Sequence, residues 1–200
     1  RIRKYVSTPD SEVTKMGCVT HVDSGKWGNR SSGRSGKVLV CAPSNAAIDE
    51  IVRRLTKEGL WGSDGKKYTP RVVRLGPGVH HELKKYSLEF QAVARAHSKG
   101  GHSALGGMQM KQMLDPIKRE ILMEAHIICS TCSVAGSRDL LQMGKAFESV
   151  VIDEATQGVE MSTLVPLQLG ARRCILVGDP KQLPATVFSK AASHFRYDRS

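Results

Sequence analysis

Short unbroken apolar runs recur along the chain, separated by stretches in which apolar residues return at helical spacing. VLVCA at 38–42, RVVRLG at 71–76, HIIC from His126, Val150 to Ile152 and Cys174 to Val177 read as strands. Their lack of polar alternation predicts burial on both faces, the pattern of a parallel sheet. After the first run, Ile48, Ile51, Val52 and Leu55 keep helical spacing, while Asp49, Glu50, Arg53, Arg54 and Lys57 fall mostly on the other side. Gly59 supplies the stop. Further helices are predicted from about His80 to Ala96, ended by SKGGH, and from about Met108 to Glu124, with Pro116 as a candidate kink. Another begins near Met161 and ends at Gly170. Strands alternating with helices define an α/β protein. Residues 1–36 are polar and basic, and SGKWGNRSSGRSG at 24–36 predicts a flexible solvent loop.

The ends of two predicted strands carry chemistry. Asp153 and Glu154 follow Val150 to Ile152, where open α/β sheets bind ligands. An Asp there can hold hydrated Mg²⁺ through oxygen, and an adjacent Glu can polarise a water that attacks a terminal phosphate. An Asp-Glu pair alone is more often a surface turn. Here a second strand ends in Gly178-Asp179-Pro180 followed by Gln182, so Gly permits close backbone approach, Pro turns the chain and an amide stands beyond the sheet. Together these are the groups of a nucleotide triphosphatase.

A formal charge of +11 fits a polyanionic partner. No apolar run approaches the length needed to span a bilayer, and the first residues lack a signal-peptide core, so an intracellular protein is expected. Five cysteines, an odd number, argue against a closed disulfide framework. Cys41, Cys129 and Cys174 sit in apolar runs and read as small buried hydrophobes. Cys129 and Cys132 form a CxxC, but it straddles a strand end without a second pair, which weighs against zinc even with His80 and His81 as imagined partners. The methionines from Met108 to Met123 read as packing residues, and Trp27 more often packs on a surface than stacks on a base.

VVIDEATQ at 150–157 with GDPKQLPATV from Gly178 resembles motifs II and III of superfamily 1 helicases, in the branch that includes senataxin and the nonsense-mediated-decay helicase. KVLVCAPSNAAIDEIVRRL at 37–55 is similar to that branch's motif Ia, and HIICSTCS at 126–133 to its motif Ic. Order and rough spacing agree from Lys37 to about Ser189. The resemblance implies a RecA-like P-loop NTPase sheet with flanking helices, ATP and Mg²⁺ as cofactors, and single-stranded RNA or DNA as partner. Position by position, Asp153 matches the Mg²⁺ ligand, Glu154 the catalytic Glu, Gln157 the Gln closing motif II, and Gln182 the γ-phosphate sensor. Ser44, Asn45, Ser130 and Thr131 match positions along the nucleic-acid strand. Ser44 or Asn45 also has the chemistry of a helix cap, and capping and phosphate binding use the same geometry.

Ala185 after Pro184, and Cys132 where leucine is frequent, depart mildly from the family pattern. The larger departure is that GxxxxGK followed by Ser or Thr, the loop that cradles phosphates, occurs nowhere in the chain. The resemblance therefore implies an incomplete unit, with the phosphate loop and a second RecA-like domain outside this chain. It divides the sequence into a basic segment over 1–36, a partial RecA-like domain over 37–190 and a basic tail over 191–200. A helical projection over about 80–124 is expected to offer Lys84, Lys85, Arg95, Lys99, Lys111, Lys118 and Arg119 to phosphates, or simply to present a solvated face. In this class the motif III strand lies between the phosphate-loop and motif II strands, so residues 174–177 are expected to expose an apolar edge. Alone, the chain is expected neither to hydrolyse ATP nor to unwind duplexes. The family also implies 5′ to 3′ movement and often a nuclear setting. Two alternatives stand beside it: a catalytically inactive nucleic-acid or protein-binding module derived from a helicase, and a P-loop ATPase with another task, such as a nuclease-linked motor.

Overall fold

The computed structural model describes residues 18–23, 36–62, 64–98, 107–144, 146–182 and 184–199. Most of the Gly/Ser-rich stretch, with Trp27, and Lys99 lie outside the described residues. The elements in order are β1 (Cys18–Asp23), β2 (Lys37–Ala42), α1 (Asn45–Glu58), β3 (Leu60–Trp61), β4 (Lys67–Tyr68), β5 (Val72–Arg74), α2 (Leu88–Ser98) and α3 (Gly107–Glu124). Then follow β6 (Ile127–Thr131), α4 (Arg138–Leu141), β7 (Phe147–Ile152), α5 (Glu160–Leu167), β8 (Arg173–Gly178) and α6 (Lys190–His194).

Six strands form one sheet in the order β1-β8-β7-β2-β6-β5, while β3 and β4 make a separate ribbon. The five strands from β8 to β5 run parallel. All their C-terminal ends therefore open on one edge. Period-two alternation sorts the side chains onto two cores. Leu39, Cys41, Val73, Ile128, Val150 and Ile152 join the larger core, which also takes Leu88 and Ala92 of α2 and Ile117, Ile121 and Leu122 of α3. Ala42, Val72, Ile127 and Cys129 face the other side, against Ile48 and Val52 of α1. Each such fully buried aliphatic side chain contributes roughly 1.5–3 kcal/mol relative to exposure.

Three expectations change. The helix expected over His80 to Ala96 is divided: a 3-10 segment spans His81–Tyr86, Ser87 is extended, and α2 begins at Leu88. The break has a cause, because Ser87 bridges Arg74 beside the sheet and its hydroxyl accepts from Phe90 N at 3.1 Å. Second, the basic N-terminal segment contributes β1. Third, β1 pairs antiparallel with β8 from Cys18↔Gly178 to Asp23↔Arg173, so the expected bare edge at 174–177 is covered. The apolar faces of α2 and α3 join the larger core and pack on each other. Pro116 lies within α3, which runs on to Glu124. Among the described residues, no helix is long and apolar enough to cross a membrane.

Candidate functional site

The backbone N–H of Asp153 donates to Cys41 O across to β2 at 2.8 Å, which fixes the residue just beyond the end of β7. Glu154 then takes a left-handed conformation, φ 51° and ψ 37°. That is uncommon for a residue with a side chain and persists where surrounding bonds impose it. A 3-10 turn, Ala155–Gln157, follows directly and returns Gln157 beside Glu154. Gln157 Nε2 donates to Glu154 Oε2 at 3.1 Å and to Gln182 Oε1 at 3.3 Å. The amide of Gln157 thus couples the ends of β7 and β8.

Gln182 is presented by a turn built on Asp179. Asp179 Oδ1 accepts from Lys181 N at 2.9 Å, and Asp179 O accepts from Gln182 N at 3.0 Å. The same carbonyl accepts from Thr156 Oγ1 at 3.2 Å. Thr156 reaches it because residue 178 is glycine: a Cβ there would lie 2.9 Å from Thr156 Oγ1 and 3.0 Å from Thr156 N. An open depression of about 400 Å³ lies against Gln157, Lys181, Gln182 and Pro184. Thr156 and Lys181 are members of this site that sequence reasoning did not single out. Their signal was position alone, each lying inside a quoted motif between two assigned residues.

For a metal, the donor set is informative. Among the described residues no group of three His, Cys, Asp or Glu could enclose an ion. Mg²⁺ does not need such a cage, since it keeps several waters and takes one or two carboxylates together with substrate phosphates. Half-exposed Asp153, with Glu154 beside it, fits that demand.

The remaining assigned residues separate. Ser44 Oγ accepts from Ala47 N at 3.2 Å and caps α1. Asn45, at the first turn, accepts at Oδ1 from Arg74 Nη2 at 2.7 Å. Arg74 is fully buried, its Nε 3.1 Å from Asp49 Oδ1, and it also donates to Leu75 O. Asp49 Oδ2 in turn accepts from His80 N at 2.9 Å. This network joins α1 to the turn after β5. Thr131 stands opposite Ala42 at the strand ends, its Oγ1 accepting from Val134 N at 3.4 Å. The Ser130 side chain is wholly buried, 3.7 Å from Cys41 Sγ, so a strand on the surface would meet this position through its backbone.

Cys129 and Cys132 belong to different cores, so the two thiols of the CxxC do not converge. Cys132 instead pairs with Cys41, whose thiol is held protonated by that hydrogen bond and by burial. The basic residues over 80–124 also sort themselves. Arg95 forms a two-pronged bond with Glu124 at 3.0 and 2.9 Å, Lys118 lies 3.9 Å from Glu89, and Arg119 reaches Gln142 at 3.5 Å. Lys84 and Lys85 are exposed and have no acidic partner among the described residues.

A largely parallel sheet with flanking helices, and paired acids and amides at adjoining strand ends, defines a RecA-like α/β fold. The chain belongs to the AAA domain family, which matches residues 10–115 and 105–190. It is 42% identical to a probable helicase of Dictyostelium discoideum over 82% of this chain and 18% of that protein. It is 31% identical to the probable helicase senataxin of Homo sapiens over 84% of this chain and 9% of that protein. Similarity to the ATP-dependent helicase upf1 of Schizosaccharomyces pombe is 32% over 89% of this chain and 20% of that protein. The branch expected from the motifs is therefore the one found. The chain spans a fifth or less of the length of these curated relatives.

Proposed function

We propose that this chain forms part of an ATP-dependent helicase that moves along single-stranded RNA or DNA, with the RecA-like unit running over 37–190. The observation that carries this is the bonded set Glu154, Gln157 and Gln182 next to Asp153. Asp153 would hold Mg²⁺, which when bound neutralises phosphate charge. Glu154 orients the attacking water and accepts its proton. Gln182 touches the γ-phosphate, and Gln157 transmits a shift of Gln182 to Glu154 through its single amide nitrogen. Lys181 adds an exposed cation at the same depression. Ser44, Asn45 and Thr131 lie on the same edge of the sheet, so a strand can cross where the nucleotide is sensed. Backbone contacts do not read bases, so sequence preference is weak. The AAA domain match and the helicase names of the relatives support this function, and the senataxin similarity favours a nuclear setting.

In the intact protein, Glu154→Gln lowers ATP turnover by roughly 10²-fold or more, the usual scale of general base catalysis, while nucleotide binding persists. Hydrolysis near the unsubstituted rate would remove Glu154 from this role. A second function, an inactive strand-binding module, draws on β1 lying beside β8. It requires that the intact protein bind single strands without measurable ATP affinity.

A further inference from the structure

At the same edge of the sheet, beside the Asn45 and Arg74 network, a groove of about 480 Å³ opens between residues 76–79 and the outer face of α2. Phe90 and Val93, one helical turn apart, line it. Phe90 is 52% exposed and Val93 39%, while Leu88, Ala92 and Ala96 on the opposite face of α2 are buried. An aromatic residue standing in water is held there by a structured backbone, since Ser87 Oγ caps the turn at Phe90 N. Its apolar area is left uncovered at a site framed by polar groups.

The charge around the groove selects an occupant. Lys84 lines it without an acidic partner among the described residues, and Lys85, His80 and His81 are exposed close by in sequence. One carboxylate, Glu89, also lines the groove and lies 3.9 Å from Lys118, while Glu82 outside it lies 3.9 Å from Arg53 and 3.7 Å from His80, so cations outnumber acids here. The groove is also continuous with the strand-end residues, because Gly78 in its wall stands against Asn45, whose Nδ2 would be 2.7 Å from a Cβ at that position. A flat apolar ring beside a free ammonium matches a nucleotide, whose base stacks while its phosphate meets the cation.

We infer that the groove between residues 76–79 and Phe90 and Val93 is a base-stacking subsite for single-stranded nucleic acid, with Phe90 as the platform and Lys84 as the phosphate contact. The subsite rests on the strand-binding function proposed above and extends it to a specific nucleotide position. It supplies affinity without base readout, because every base has a face to stack.

The intact protein and its variants are titrated with labelled single-stranded oligonucleotides at several salt concentrations, using strands with bases and abasic strands of equal length. Phe90→Ala weakens binding of the base-bearing strand about tenfold, the scale of one lost stacking contact, and leaves the abasic strand unchanged. Phe90→Trp keeps the affinity, and its fluorescence is quenched by the base-bearing strand beyond the change seen in the unsubstituted protein. Lys84→Ala lowers the slope of log K against log salt by about one for both strands. If the unsubstituted protein binds and Phe90→Ala matches it, or loses both strands equally, the subsite is wrong while strand binding stands. If the unsubstituted protein binds no strand even at low salt, strand binding and the subsite fall together.

Discussion

Ser44 shows how one side chain can serve two purposes that must be separated by experiment. Its hydroxyl caps α1, and replacing such a cap by Ala costs about 1 kcal/mol, whereas Gly costs only a few tenths. Ser44→Gly therefore keeps stability, measured by chemical denaturation, nearly unchanged. A fall in single-strand affinity in that variant reports a lost phosphate contact, and an unchanged affinity assigns the hydroxyl to capping alone. Cys129 carries a different prediction. Burial pushes its thiol up from 9.0 to about 12, so the folded state keeps the proton that the unfolded chain gives up. Its contribution to stability is complete below the unfolded value and is lost as pH rises towards the folded one. Unfolding free energy should fall between pH 9.0 and about 12, by up to roughly 1.4 kcal/mol per pH unit from this group. Cys174, raised by burial to about 11, adds to the same alkaline loss. Cys129→Val removes one share of that slope. An identical pH profile in the variant would show that the thiol is not the titrating group.

Between elements, the strongest polar tie is the pair Asp49 and Arg74, with side chains 9% and 0% exposed. Asp49→Ala leaves a guanidinium buried without its counter-charge, which costs roughly 3–5 kcal/mol. Thermal unfolding of this variant should show that loss, and replacing both residues by apolar ones of similar volume should restore most of it. Recovery by the double variant separates the buried charge from mere packing. This tie was hidden in the sequence: Arg74 sits in RVVRLG as an ordinary polar residue, and its partner is on another element 25 residues away. Ser130 was hidden for a related reason. A strand buried on both faces shows no polar alternation, so nothing in HIICST tells which side the hydroxyl takes. By contrast α1 was legible to its cap and its stop, with Gly59 at φ 69°, because spacing and end signals agree there. The approach of β8 to the turn after β7 was legible at Gly178. Gly178→Ala places a methyl against Thr156, so it should lower ATP turnover in the intact protein more than nucleic-acid binding, since only the β7 and β8 ends are pushed apart.

Across the whole molecule, the parallel core could be foreseen from its apolar runs, but the order of strands could not. Edge positions depend on which segment pairs last, and β1 comes from a segment whose composition announces only charge and flexibility. Its pairing matters because β8 carries Cys174, Ile175, Leu176 and Val177, an apolar set whose outer hydrogen-bonding edge would otherwise be free. Free, flat, apolar edges recruit other chains. The six-residue register from Cys18↔Gly178 to Asp23↔Arg173 covers the whole of β8. A chain beginning at Gly36 keeps both cores and every assigned site residue but loses that cover. It should form oligomers or precipitate, by light scattering, at concentrations where residues 1–200 stay monomeric. A strand peptide spanning Cys18 to Asp23, added in excess, should suppress the association because it restores the ladder. If the shortened chain remained monomeric and equally stable, β1 would have no part in guarding the edge, and the pairing of β8 would have to be satisfied by another segment.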